Sequence, residues 1–203
     1  MSLRGASDLT HFEHSKITEI IDFEQNADVA RELLICIDSA GNGELARAEG
    51  EPDHVVIPPN MEQFREFGGS LRLFHNHPKR HSISDTDWQQ SVRWEGRADV
   101  VAVNVIGDVF CGRASLLEDL SIVAKRDKFL NAWKHLEELV YKGCAWKPFY
   151  DHMFSHVINL ELRSRHLIQY DAHLGSVSKT AMDLVDHAGL MPKMRDAVQQ
   201  HLF

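Results

Sequence analysis

The stretch FHNHPKRHSISDTDW, residues 74–88, gathers three histidines, two serines and two aspartates around one proline. On an extended strand, side chains i and i+2 face the same way, so His75 and His77 can turn two imidazoles toward one ion. Pro78 ends the ladder of that strand, and the loop Lys79–Ile83 returns the chain over the same face. A helix starting near Ser84 carries Asp87 in its first turn, a short reach from the strand end. Two imidazoles and a carboxylate are a recurrent catalytic zinc set that leaves the fourth position for water. Each fragment also has a plainer meaning. Ser84-x-x-Asp87 is a helix-capping arrangement, and a His-x-His pair arises readily in a chain with thirteen histidines. The two in succession, across a strand, a loop and a helix, favour metal chemistry.

The flanking elements must place these groups. Ile17, Ile20 and Ile21 recur at helical spacing from Ser15 to about Glu24, with Ser15 as the expected cap. Leu33–Ile37 reads as a buried strand entering the turn 39–43, and Glu44–Ala48 as the returning strand. His54–Ile57 reads as a third strand or a continuation. Asn60 is expected to cap a short helix bearing Met61, Phe64 and Phe67, closed by Gly68-Gly69. Leu71–His77 alternates as a strand, Asp85–Trp94 suits a helix, and Val100–Val105 and Val109–Cys111 form strands around the turn at Gly107. Beyond Arg113 only helices are expected. One carries Phe129, Trp133, Leu136 and Val140, one runs from Pro148 to about Tyr170, and two cover Lys179–His187 and Pro192–His201. The expected fold class is therefore α/β (α+β), a mixed sheet flanked by helices over residues 1–114, followed by a helical region over residues 115–203.

Composition narrows the partners. With 203 residues, 43% hydrophobic and 26% charged, the chain can bury a real core. A net charge of -8 disfavours a broad nucleic-acid surface. Cys36, Cys111 and Cys144 are odd in number and widely spaced, which argues against a disulfide scaffold or a cysteine zinc ribbon and suggests a reducing compartment. No apolar run is long enough to span a membrane, and the opening stretch lacks the apolar core of a secretion signal. A cytoplasmic protein is expected.

His75-Asn76-His77-Pro78 followed by Ser84-Asp85-Thr86-Asp87 resembles the JAMM motif, His-x-His-Pro, a spacer, then Ser-x-x-Asp. That motif marks the JAB/MPN zinc metallopeptidases, and the His-Asn-His-Pro form is similar to their prokaryotic, RadC-like branch. The resemblance covers roughly residues 15–113 and implies a cytidine-deaminase-like fold. It also implies Zn2+ on His75, His77 and Asp87. The spacer is five residues where the family usually has six, so Asp85 and His81 stay open as competing ligands. The family's general base is a glutamate at the edge of an early strand. Glu32 stands there, while Glu24, Glu44 and Glu49 fit less well. By the same resemblance Glu32 takes the proton of the metal-bound water and Ser84 donates to the developing oxyanion.

The expected function is hydrolysis of an amide bond in a protein or peptide, such as the tail of a ubiquitin-like or carrier protein. Only Trp88–Asp99 separate Asp87 from the next strand, which leaves little room for the insertion that ubiquitin-chain-cleaving relatives use. The alternative is a metal-stabilised protein-binding module or RadC-like DNA-metabolism accessory without peptidase activity. The contiguous His-Asn-His run is not the dispersed HNH nuclease signature, and the Pro-Cys-x-x-Cys element of deaminases is missing. His152 and His156 lack the intervening glutamate of a His-Glu-x-x-His protease and read as packing or surface residues. Phe129, Trp133, Leu136 and Val140 read as core or interface, and Lys125-Arg126-x-Lys128 as a solvated face.

Overall fold

The computed structural model describes residues 3–52, 54–78, 81–114, 126–143 and 153–203. Cys144, Pro148, His152 and Lys125 lie outside them. Six strands form one sheet in the order β2-β1-β3-β4-β5-β6. They are β1 Leu33–Asp38, β2 Glu44–Glu49, β3 Leu71–Asn76, β4 Ala98–Val103, β5 Val109–Ala114 and β6 Ile168–His173. The described helices are α1 His11–Asn26, α2 Pro59–Glu66, α3 Asp85–Arg93, α4 Arg126–Gly143, α5 Phe154–Ser164, α6 Ser176–His187 and α7 Met191–Leu202. Neighbouring strands are antiparallel except β3 and β4, which run parallel and are joined through α3. This is the expected mixed sheet flanked by helices.

Both faces of the sheet are covered, which is why β1 and β4 read as nearly continuous apolar runs and why every residue of β3 is buried, its polar ones included. On one face, Ile35, Phe74, Val101 and Cys111 pack with Ile17 and Ile20 of α1. On the other, Leu34, Leu71 and Leu73 pack with Met61 and Trp94. The same face continues over β4 and β5 into a larger core. There Val100, Ala102 and Phe110 meet Trp88 together with Phe129, Leu136, Phe154, Val157 and Leu202. A Cβ on Gly112 would overlap the Trp88 indole and Ile83, so the glycine lets α3 lie close against β5.

Four local expectations are corrected. The first helix starts at His11, ahead of Ser15, because Thr10 and Glu13 form a reciprocal capping box. His54–Ile57 is extended but forms no ladder, only a single bridge between Glu51 and His54. The second helix is entered through Pro58 and Pro59, without a side-chain cap from Asn60. Most consequentially, the region after Arg113 is not helical throughout. The helix through His156 ends at Ser164, His166 turns the chain at φ 60°, and Ile168–His173 pairs antiparallel with β5 as the sixth strand. The stripe Phe129, Leu136, Val140 is core, with Trp133 packed against it. The described segments 126–143 and 153–203 thus share one apolar core with the sheet.

His156 shows what that burial does to a titratable group. Its Nδ1 lies 2.7 Å from Tyr170 Oη, and burial pushes its pKa down to about 4. Unfolding exposes an imidazole of ordinary pKa near 6.5, so the unfolded chain binds a proton that the folded one refuses between those values. The cost is absent above about pH 6.5 and grows until about pH 4. Between pH 7 and pH 5 it amounts to about 2 kcal/mol. Urea unfolding at the two pH values should show this loss, and His156→Gln should remove most of the difference. An identical pH dependence in the variant would refute the assignment.

Candidate metal centre

The centre lies where β3 ends and α3 begins. His75 is the penultimate residue of β3, and the backbone N–H of His77, just past it, donates to the Val103 carbonyl at 3.0 Å, which keeps the chain extended. Both imidazoles therefore project from the sheet face that carries Leu71 and Leu73. His75 and His77 are buried, at 4% and 8% exposure. Their Nε2 atoms lie 2.8 Å apart. Asp87, at the third position of α3, sets Oδ1 3.1 Å from His75 Nε2 and Oδ2 3.3 Å from His77 Nε2. These three can hold a metal ion; their donor atoms all fall within 4.8 Å of one another. The competing ligands Asp85 and His81 are not in the group.

The distances fit a small tetrahedral cation. Bonds of about 2.05 Å at tetrahedral angles place ligand atoms about 3.3 Å apart. Each carboxylate oxygen stands near that spacing from one imidazole, Oδ1 from His75 and Oδ2 from His77, and the Nε2 pair needs to open by about half an ångström. Two facing imidazole lone pairs repel, so the close Nε2 pair calls for a proton or a cation between them. The surrounding groups also present the right faces. His77 Nδ1 lies 3.0 Å from the His81 carbonyl; it can only donate there, which leaves Nε2 as the ligand atom. The bland and the functional readings of Ser84-x-x-Asp87 both hold. Ser84 caps α3, and its N–H and Oγ–H both donate to Asp87 Oδ2 at 2.7 Å, aiming the carboxylate at the imidazoles.

Electrostatics point the same way. Burial alone would favour uncharged groups throughout the centre. The Asp87 carboxylate outweighs that at His77, with help from Glu32, and lifts its pKa to about 9. The two imidazoles in turn hold the Asp87 carboxyl well below the usual range. A negative site of this kind attracts a cation.

Glu32 reaches the same place from the neighbouring strand. β1 pairs antiparallel with β3, with Leu34 opposite His75. Two more residues of that register bring Glu32 opposite His77 and onto the same face. Glu32 is 7% exposed, and it lines one cleft of about 70 Å³ together with His75, His77, Ser84, Asp87 and His54. The other glutamates considered are engaged elsewhere. Glu24 accepts from Asn76 on the opposite face, Glu44 pairs with Arg47 and Lys16, and Glu49 lies near Arg31. Cys36 and Cys111 are buried, and burial pushes both thiols up to about 12, so neither supplies a thiolate nucleophile.

Sequence reasoning missed two supports. The first is Asn76, which sits between the histidines and faces the other way. Its Oδ1 accepts the Leu33 N–H at 2.7 Å, and its Nδ2 donates to the Arg31 carbonyl at 2.8 Å and to Glu24 Oε2 at 3.2 Å. Asn76 thus grips the backbone on both sides of Glu32, a role that no spacing rule announces. Asn76→Asp keeps the acceptor, loses the donors and sets a carboxylate beside Glu24. It should cost about 1–3 kcal/mol of stability in urea unfolding, and adding Glu24→Gln should recover part of that loss. No recovery would mean that the Glu24 contact is immaterial. The second support is the buried polar cluster on α5, which contacts residues 82, 83 and 88.

No helix among the described residues is long and apolar enough to cross a membrane. No family model, no curated protein and no solved structure matches the chain.

Proposed function

We propose that the chain is a zinc-dependent metallopeptidase or isopeptidase of JAB/MPN type, which hydrolyses an amide bond in a protein or peptide. The observation that carries this reading is the convergence of His75, His77 and Asp87 with a fourth group, Glu32, in one cleft. A structural zinc site is closed by four protein ligands, whereas three ligands beside an independent carboxylate suit a site that keeps a corner for water. The joining of β3 to β4 through α3, with ligands at both ends of the loop, is also what the JAMM-motif resemblance leads one to expect. Zinc, when bound, supplies an acidified water and polarises the substrate carbonyl.

The chain's own residues do the rest. His77 keeps Nε2 directed inward because Nδ1 is spent on the His81 carbonyl. Ser84 orients Asp87, and its hydroxyl proton must turn away from Asp87 Oδ2 before it can serve a developing oxyanion. Glu32 accepts a proton from the attacking water and returns it to the departing amine. Its burial keeps bulk water from competing for that proton.

The test is amide hydrolysis by the zinc-loaded protein. Mixed peptides and a lysine-ε-linked isopeptide serve as probes, read by mass spectrometry before and after chelation and with Glu32→Gln as the matched control. Cleavage that needs both zinc and Glu32 supports the reading. Stoichiometric zinc with no cleavage of any probe would favour the metal-stabilised binding module instead, since such a scaffold has no use for Glu32.

A further inference from the structure

Asn159 lies outside the motif-bearing segment, on α5, and its side chain is fully buried. Beside a contact with the Tyr170 side chain on β6, it makes three hydrogen bonds to the loop and helix that carry Asp87. Its Oδ1 accepts the Trp88 Nε1–H at 2.8 Å, while its Nδ2 donates to the Ile83 carbonyl at 2.7 Å and to Ser82 Oγ at 3.0 Å. These partners fall on both sides of Ser84–Asp87. One turn earlier on the same helix face, Ser155 Oγ accepts the Ser82 N–H at 2.9 Å. The His81 ring, meanwhile, packs edge-on against Trp133 of α4, with centroids 4.7 Å apart.

We propose that Asn159 is a positioning residue of the metal centre, a role that rests on the metal reading above. It acts through two routes. By fixing Ser82 and Ile83 it fixes the adjoining His81 carbonyl, which is the acceptor that orients His77. By holding the Trp88 indole it sets the turn of α3 from which Asp87 projects. The amide is suited to this because it offers one acceptor and two donors in a single plane. Aspartate lacks the donors, and leucine lacks both kinds of group while keeping the same branching of heavy atoms at Cγ. A buried asparagine that served the fold alone would need partners, but not partners bracketing one ligand and adjoining the acceptor of another.

The experiment uses the full chain loaded with cobalt(II). Affinity is measured by competition with a chromophoric chelator, the visible spectrum reports ligand geometry, and urea unfolding is run in parallel. Asn159→Leu should weaken cobalt binding about 10–100-fold and shift the visible bands. Leu162→Ala, a buried apolar truncation on the same helix, should lose comparable stability yet keep its affinity within about twofold. If Asn159→Leu does not fold, Ser155→Ala carries the test, with a several-fold loss of affinity and a smaller spectral shift.

Unchanged affinity and spectrum in the Asn159 and Ser155 variants would overturn the proposal, as would an equal loss in Leu162→Ala. A wild-type protein that binds cobalt but cleaves nothing removes the hydrolase reading and leaves Asn159's role standing. One that binds no cobalt overturns both.

Discussion

Replacing His77 by alanine should empty the centre. Wild-type protein purified with zinc present is expected to retain about one ion per chain, since three converging ligands and a negative pocket favour it. Loss of the imidazole leaves one nitrogen and one carboxylate, and affinity should fall by at least about 10³-fold. His54→Ala is the appropriate companion, because His54 lines the same cleft without belonging to the ligand group. It should keep the ion. The same difference should appear in stability. Zinc at a hundredfold excess over Kd stabilises a folded chain by about 2.7 kcal/mol, an increment His77→Ala should not show. Elemental analysis and unfolding curves read the two effects independently. Equal zinc in wild type and His77→Ala would place the ion elsewhere and dissolve the proposed centre.

Glu32→Gln should separate binding from chemistry. The residue stands opposite His77 by strand register, and it is not among the ligand group. Glutamine has almost the same shape, so the metal ligands and the cleft should stay in place. What disappears is the ability to take a proton from water and return it to an amine. Removing a positioned general base typically costs about 10²–10⁴-fold in turnover, and zinc content should match wild type. Undiminished turnover in Glu32→Gln would assign the base to another group, and loss of zinc in the same variant would make Glu32 a ligand rather than a base.

The candidate ligand group could be read from the chain because its geometry is local. His75 and His77 obey the two-residue period of a strand, and Asp87 obeys the three-residue spacing of a helix cap; neither depends on a distant partner. Glu32 required a guess about strand pairing, which the buried run after it made reasonable. Failures came where distant packing decided the outcome. The alternation Ile168, Tyr170, Ala172 carried a strand signal. It directly follows a helical pattern with no glycine or proline between, and the left-handed turn falls on His166 rather than on a glycine that would mark it. His54–Ile57 has strand-like composition, yet among the described residues it makes only the single bridge from His54 to Glu51. Asn159 offered nothing to read, since a buried amide announces its partners only in three dimensions. Thr10 and Glu13 were a missed opportunity, because a capping box is visible in sequence.

The bond between Trp88 and Asn159 joins positions 71 apart, and β6 is added to β5 from later still. During synthesis the histidines and Asp87 leave the ribosome long before the segment that braces them, so the complete centre cannot be assembled while they emerge. On the proposed metal reading, capture of the ion in its final geometry belongs among the last events of maturation, after α5 has docked. Until then the nascent chain carries donors without the brace that arranges them.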